Sequence, residues 1–212
     1  MNIGKSITKA IDEMGQRDNE SAMLHACNAV DGTAKRLYPN IGTNAGFTKL
    51  LRDNYHILGP MIMPGIDLVE TRFPITIRHP KAPGGTPDIA DIIYGIHRCT
   101  HGHGAELPDG FELIEDVENG LAVTRIVIER GKIRLSDRTV FGLIAVAVIC
   151  PKNIDQAVPE GYYLTLNGTT MYINEWWGRS HDFSSVSELV NIPSVKMDFG
   201  DWMNLIQDAV IK

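Results

Sequence analysis

The sequence predicts an α+β fold: a helical bundle over residues 1–108, followed by a smaller mixed region of helix and β-hairpins over residues 109–212. Apolar residues in the first half recur at steps of three and four, which is the spacing of one helical face. After residue 108 the segments shorten and become rich in β-branched residues between turn signals. With 212 residues, of which 43% are hydrophobic and 22% charged, the chain can bury a core without disulfides or metals.

Helical segments are predicted throughout the first 72 residues, each bounded by a capping residue or by glycine or proline. They are residues 5–14, 19–38, 44–58 and 61–72. Asp18 or Asn19 can cap the second segment, and its apolar positions lie on one helical face. The third segment ends at the Gly59-Pro60 break.

Residues 73–87 are too rich in proline and glycine for a regular element. A connection of this length inside a compact domain is uncommon and is often functional, although a plain surface connection is the alternative. Basic residues give the segment local positive charge, and we expect Arg78 and Lys81 to contact a substrate.

The best-defined helix follows this segment. Thr86 is expected to cap it, and Pro87 suits its first helical position. Apolar residues then form a tight stripe and glycines end the helix. The stripe consists of Ile89, Ile92, Ile93 and Ile96, and the terminating residues are Gly102 and Gly104.

The second half predicts two hairpins around a buried segment. The first joins residues 121–129 to 132–135 through Arg130-Gly131, and the second joins 162–166 to 171–176 around Asn167-Gly168. Residues 139–150 are an apolar run whose pattern leaves helix and strand open, although its length favours helix. Short helices are expected after Asp182 and from Asp198 onward.

Composition predicts a soluble cytoplasmic protein without a membrane span. The longest apolar run has about twelve residues, whereas a span needs about twenty, and the N-terminus lacks the apolar stretch of a signal peptide. The three cysteines are scattered, which is typical of a reducing compartment. The net charge of −6 argues against coating of nucleic acid by bulk charge, but it leaves a local basic site open.

Candidate chemistry concentrates at the end of the best-defined helix, in His97-Arg98-Cys99-Thr100-His101-Gly102-His103. At 100° per residue, Arg98 lies nearly opposite the isoleucine stripe, so it should face solvent, a partner or a ligand. His97 and His101 are expected on the same polar side. The glycines on either side of His103 allow that residue to turn back towards Arg98.

Three interpretations of this cluster remain open. Arg98 and His103 can form a phosphate-handling pair, because arginine offers a fork of donors and histidine exchanges protons near neutral pH. Alternatively, His97 and His101 bind a metal with His103 or Cys99, although the acidic residue of an HExxH motif is missing and Arg98 places a cation between them. In the third interpretation the histidines merely complement the negative end of the helix dipole.

The pair Arg98 and His103, separated by four residues at the end of an amphipathic helix, resembles the motif of the HEPN superfamily (higher eukaryotes and prokaryotes nucleotide-binding domains). Residues 22–30 are similar to the long early helix of such domains, and the resemblance covers residues 1–108. It implies an antiparallel helical bundle and a two-fold homodimer in which the two motifs meet.

The resemblance further implies a metal-independent endoribonuclease of the toxin or defence type, which needs no cofactor and leaves a 2′,3′-cyclic phosphate. Arg98 would neutralise the phosphate and His103 would be the acid and base, with His101 assisting and His97 contacting the substrate. RNA or a nucleotide and an antitoxin-like protein are the implied partners. Because Cys99 stands where many active members carry a polar residue, a non-catalytic nucleotide- or protein-binding module is the alternative, and a metal-dependent hydrolase using the histidines is a third.

Overall fold

A computed structural model of the chain describes residues 2–102, 104–118, 121–122, 124–166, 169–186 and 193–204. Its helices are α1 (Ile3–Gly15), α2 (Asn19–Leu37), α3 (Thr43–Asp53), α4 (Tyr55–Ile62), α5 (Ile89–Ile92), a π-helix (Ile93–Arg98), α6 (Cys99–Gly102), α7 (Arg138–Ile149) and α8 (Ser180–Val186). Its strands are β1 (Val117–Glu118), β2 (Leu121–Ala122), β3 (Val127–Glu129), β4 (Lys132–Arg134), β5 (Tyr163–Leu166) and β6 (Thr169–Tyr172), which pair in sequence order as antiparallel hairpins. The fold is therefore α+β and dominated by helices.

The first two helices follow local capping signals and confirm the prediction. The Asn2 side chain accepts a hydrogen bond from the Lys5 backbone N–H at 2.9 Å and caps α1. Asp18 caps α2 by accepting from the Ser21 N–H at 3.0 Å. Each side-chain oxygen accepts a hydrogen bond from an amide that has no partner inside the helix. Helix α2 therefore begins at the predicted cap, while α1 begins two residues before the predicted residue 5, because Asn2 caps it.

The third and fourth predicted helices differ from the structure. The chain breaks at Asn54 rather than at Pro60, which lies inside α4 among buried neighbours. Residues 63–72 form turns, so the helix predicted over 61–72 is wrong beyond α4. The physical reason lies far along the chain: Val195 donates to the Gly65 carbonyl at 3.0 Å and accepts from the Asp67 N–H at 2.9 Å. Those backbone groups are therefore unavailable to a helix.

The apolar run over residues 139–150 resolves as helix α7, at the centre of the molecule. It packs on α1, α2 and α4, and its buried residues belong to the same hydrophobic core as those of the first half. At Gly142 an added Cβ would lie 2.6 Å from Cγ2 of Ile62, so a larger residue would push α4 away. The two predicted segments, 1–108 and 109–212, thus share one core, while the boundary near residue 108 stays a prediction.

In the second half of the chain, the structure confirms one predicted hairpin closely. Strands β3 and β4 join through Arg130-Gly131, where Gly131 has a φ of 77°. Residues 121–122, predicted as the start of β3, instead pair with β1. Strands β5 and β6 form the second hairpin, but the Asn167-Gly168 turn lies outside the described residues.

The ends of the chain's later helices also differ from the prediction. Helix α8 starts at Ser180, slightly earlier than the expected start after Asp182. Of the segment predicted as helix from Asp198, the described part contains a 3₁₀ turn at Gly200–Met203, and residues 205–212 lie outside the described ranges.

A buried ion-pair network joins α3 to the start of α5. Arg52 donates from Nε to Oδ2 of Asp88 at 2.6 Å and from Nη2 to Oδ1 of Asp88 at 2.9 Å, and Nη2 lies 2.9 Å from Oδ1 of Asp91. Both carboxylates are 2% exposed. Burial alone would raise the pKa of Asp88, but the hydrogen bond and charge of Arg52 outweigh it and hold that pKa below its ordinary value.

This network corrects the predicted helix start. Asp88, not Thr86, caps α5, since its side chain accepts the Asp91 N–H at 3.1 Å. Asp91 in turn accepts the backbone N–H groups of Lys81 and Ala82 at 2.8 and 2.9 Å. Segment 73–87 is irregular as predicted, apart from one 3₁₀ turn at Pro83–Gly85, and Lys81 and Ala82 tie it to the Asp91 carboxylate.

We predict that Arg52→Met lowers the free energy of unfolding by about 3 kcal/mol near pH 7, because two buried carboxylates lose their cation. In the native protein, the stabilisation that comes from the lowered pKa of Asp88 is fully present above the ordinary aspartate pKa of about 3.9. It is lost as the pH falls through the lower pKa that Asp88 has in the folded state. In the variant, burial raises the pKa of Asp88, so that acidification restores part of the stability. Urea unfolding at several pH values measures both effects.

Lys49→Met is the matched control, because Lys49 lies on the same helix and pairs with Asp53 at an exposed position. Exposed pairs of this kind contribute about 0.5 kcal/mol. Equal losses in the two variants would contradict a special role for the Arg52 network.

Candidate functional site

The helix that carries the predicted site is continuous from Ile89 to Gly102 but changes its winding at residues 93–98. We call α5, the π-helix and α6 together the site helix. A π-turn bonds residue i to i+5, so each residue advances by less than 100° around the axis. His97 therefore returns to the core side beside Ile93, and Ile96 leaves the apolar stripe and is only half-buried. The prediction that His97 lies on the polar side is wrong for this reason.

His97 is a buried and unsatisfied histidine. Its side chain is 0% exposed, and neither Nδ1 nor Nε2 has a hydrogen-bond partner among the described residues. Burial, assisted by the nearby charge of His101, lowers the pKa of His97 to about 3. The ring is neutral near pH 7 and has no surface for a substrate to touch.

His101 lies one turn further along the site helix and is half-buried. Its ring centroid is 6.1 Å from that of His97, and its Nε2 is buried without a partner in the described part of the chain. Burial lowers the pKa of His101, although the charges of Glu20 and Asp18 on the α2 side partly oppose this shift. The ring is thus neutral near pH 7 and can accept a proton.

Arg98 is held by an acidic residue of α2. Its Nε donates to Oδ2 of Asp31 at 2.9 Å, with side-chain exposures of 25% for Arg98 and 2% for Asp31. The guanidinium carbon also lies 5.5 Å from the ring centroid of Tyr94, within the range of a cation–π contact. The expectation that Arg98 must face solvent, a partner or a ligand is therefore wrong in part, since an ion pair inside the molecule uses one side of the group.

Asp31 is the site residue that sequence reasoning missed. It lies in the buried part of α2 between Val30 and Gly32, where an acidic side chain is costly unless it is paired. In the sequence, a single acidic residue among small and apolar residues of a helix is the pattern that indicates such a buried, paired carboxylate. Its partner could not be read from the sequence, because Asp31 and Arg98 are 67 residues apart.

The rest of the Arg98 guanidinium points along the helix. Among the described residues only Nε is bonded to a side chain, which leaves the terminal amino groups available. A Cβ added at Gly102 would lie 3.6 Å from Nη1 of Arg98, so Nη1 reaches the residue that precedes His103 in sequence. His103 itself lies outside the described residues.

The other predicted substrate contacts, Arg78 and Lys81, are exposed on the loop beside the site helix. Near Arg98 there is also a buried thiol, Cys27, whose pKa burial raises, so that it stays protonated. No group of three or more metal-ligating side chains occurs in the part of the chain that the structure describes. His103 lies outside the described residues, so a metal site formed by all three histidines stays a prediction.

Comparison with known proteins identifies relatives along nearly the whole chain. The model of the family described as Rv1289 matches residues 2–203. The "uncharacterized protein Rv1289" of Mycobacterium tuberculosis and the "uncharacterized protein Mb1320" of Mycobacterium bovis are each 39% identical over 204 residues, covering 96% of both chains. No solved structure matches. Within the described residues, no helix has the length and apolar character that crossing a membrane requires.

We predict that His97→Leu keeps or raises the free energy of unfolding at pH 7, by up to about 1 kcal/mol, because it removes buried polar atoms that have no partner. The unfolded chain binds a proton at this histidine below about pH 6.5, whereas the folded chain does so only near pH 3. The native protein therefore loses about 2 kcal/mol between pH 6.5 and pH 5 through this residue, and the variant does not. Urea titrations at these pH values measure the difference.

His181→Leu serves as control for this comparison, since His181 is exposed. It should follow the native pH profile. A His97→Leu profile that also coincides with the native one would show that His97 is not the buried neutral histidine described above.

Proposed function

The chain belongs to the Rv1289 family, and we propose that it is a HEPN-like, metal-independent endoribonuclease whose site lies at the end of the site helix. In this proposal Arg98 binds the scissile phosphate and His103 removes and returns protons. Such cleavage needs a base for the ribose 2′-hydroxyl and a cation for the charge that grows on the phosphate oxygens. These two residue types supply both, without a cofactor.

The orientation of Arg98 is the observation that carries the proposal. Asp31 accepts from Nε only, so it fixes the plane of the guanidinium while Nη1 and Nη2 stay available as a fork of donors. The fork reaches Gly102, which directly precedes His103. An arginine held in this way loses little side-chain entropy on binding phosphate. Asp31 would thus be a positioning residue, and the neutral ring of His101 would assist proton transfer.

The proposal includes a two-fold homodimer in which the ends of two site helices meet. A two-fold interface brings identical residues together, so one RNA strand would meet Arg98 from both subunits. An antitoxin-like protein that covers this end of the helix would then block the site. HEPN-like helices packed around α2 would form the bundle in each subunit.

A non-catalytic binding module is the second candidate, and one observation favours it. The charge of Arg98 is already balanced by Asp31, and Cys99 follows it in place of a polar residue. The same module would then bind a nucleotide or protein without cleaving RNA. Cleavage assays separate the two candidates, and removal of metal separates both from a metal-dependent hydrolase.

We predict that the purified protein cleaves RNA in EDTA and leaves 2′,3′-cyclic phosphate ends, and that His103→Ala lowers the rate at least about a hundredfold. For Arg98 the informative variant is the double change Asp31→Asn with Arg98→Gln, which removes both charges and leaves no unpaired buried carboxylate. It should also lose cleavage while its urea unfolding midpoint stays close to native. Gel analysis of a labelled RNA and end-group mapping provide the readout.

His25→Ala is a suitable control, because this half-buried histidine lies on α2, six residues before Asp31, and has no role in the proposed mechanism. It should cleave at the native rate. Activity that survives His103→Ala, or activity that requires added metal, would contradict the proposed mechanism.

A further inference from the structure

A strongly positive surface outside the Arg98 site is the loop before the site helix. Residues 71–87 contain no aspartate or glutamate, although the whole chain carries a net charge of −6. Arg78, His79 and Lys81 are exposed, and within the described ranges none of their side chains forms an ion pair or hydrogen bond. We call Arg78, His79 and Lys81 the basic loop.

The basic loop is rigidly tied to the fold at both ends. Its C-terminal side is held by the hydrogen bonds from the Lys81 and Ala82 N–H groups to the buried carboxylate of Asp91. On the N-terminal side, the buried Phe73 donates its backbone N–H to the Pro87 carbonyl at 2.9 Å, which joins the two ends of segment 73–87. The exposed cations therefore project from a fixed backbone, so less conformational entropy is lost when they bind an anion.

One residue of the loop adopts a strained conformation. His79 has a φ of 59°, in the left-handed region that residues with a Cβ seldom adopt. Such a conformation costs about 1 kcal/mol or more and persists only where the surroundings impose it. The strain lies between the two most strongly charged side chains of the loop, Arg78 and Lys81.

The segment that carries the basic loop lies against the site helix at Gly95, three residues before Arg98. Ile77 fills the space above Gly95, where an added Cβ would lie 2.8 Å from Cγ2 of Ile77. Gly95 directly follows Tyr94, whose ring contacts the Arg98 guanidinium. The basic loop and Arg98 thus flank one stretch of the site helix, and the missing side chain at Gly95 is what allows the loop to approach.

We propose that the basic loop binds the sugar–phosphate backbone of an RNA strand next to the phosphate held by Arg98, which rests on the proposed function above. Exposed cations close together on one loop, without an aspartate or glutamate among them, suit the repeated charges of a polyanion. The contacts would be to phosphates and carry no sequence information, so the loop would set register rather than specificity. Arg52, through Asp91, would position the loop.

The test is the salt dependence of binding between the full chain and a fluorescent RNA oligonucleotide. Each phosphate contact on a single strand contributes about 0.7 to the slope of log K against log salt. The double variant Arg78→Ala with Lys81→Ala should therefore lower the slope by about 1.4 and weaken binding at low salt about tenfold or more. Lys9→Ala with Lys152→Ala removes the same net charge from exposed positions on α1 and after α7, and should keep the native slope.

The outcomes distinguish this inference from the proposed nuclease. A native slope in the loop variant, or an equal loss of slope in the Lys9 and Lys152 control, would overturn the role of the loop even if cleavage is confirmed. A reduced slope in the loop variant alone supports RNA binding by the basic loop. If that result is obtained and the native chain cleaves no RNA, only the nuclease proposal fails. If the native chain binds no RNA, both proposals are overturned.

Discussion

The contact between Arg52 and the two buried carboxylates of Asp88 and Asp91 is the constraint on which the arrangement of the site helix depends. Two carboxylates in the interior are strongly unfavourable without a cation, and one arginine from α3 serves both. Helix α3, the start of α5 and the end of the preceding loop must therefore take their positions together. This coupling turns a proline- and glycine-rich segment into a fixed part of the surface.

A second buried pair holds the other end of the site helix. Asp31 of α2 and Arg98 form it, so that the helix is fixed to α3 at its start and to α2 near its end. The π-helix begins after the first pair and ends at Arg98 of the second, and its wider turns rotate His97 into the core. Wide turns of this kind are frequent at functional sites, and here the turn separates a buried histidine from the half-buried His101.

Local signals account for the parts of the fold that the sequence predicted. Helices α1 and α2 begin at side chains that cap neighbouring amides, and the turn between β3 and β4 contains a glycine with positive φ, all within a few residues. Residues 63–72 do not follow such local signals, because the backbone groups of Gly65 and Asp67 pair with the distant Val195. The cap of α5 is Asp88 and not the expected Thr86, because Arg52 of another helix orients the Asp88 carboxylate.

In the candidate site, too, some features follow from local sequence and others from distant contacts. Which chemical groups lie at the end of this helix, Arg98 and His101 among them, follows from the order of residues, because residue types and their spacing along one helix are local properties. Which of these groups remain accessible depends on how the helix winds and packs against α2. His97 is buried because the π-helix changes the phase of the helix, and Arg98 is oriented because Asp31, 67 residues earlier, lies in a buried part of α2 where its charge requires a partner.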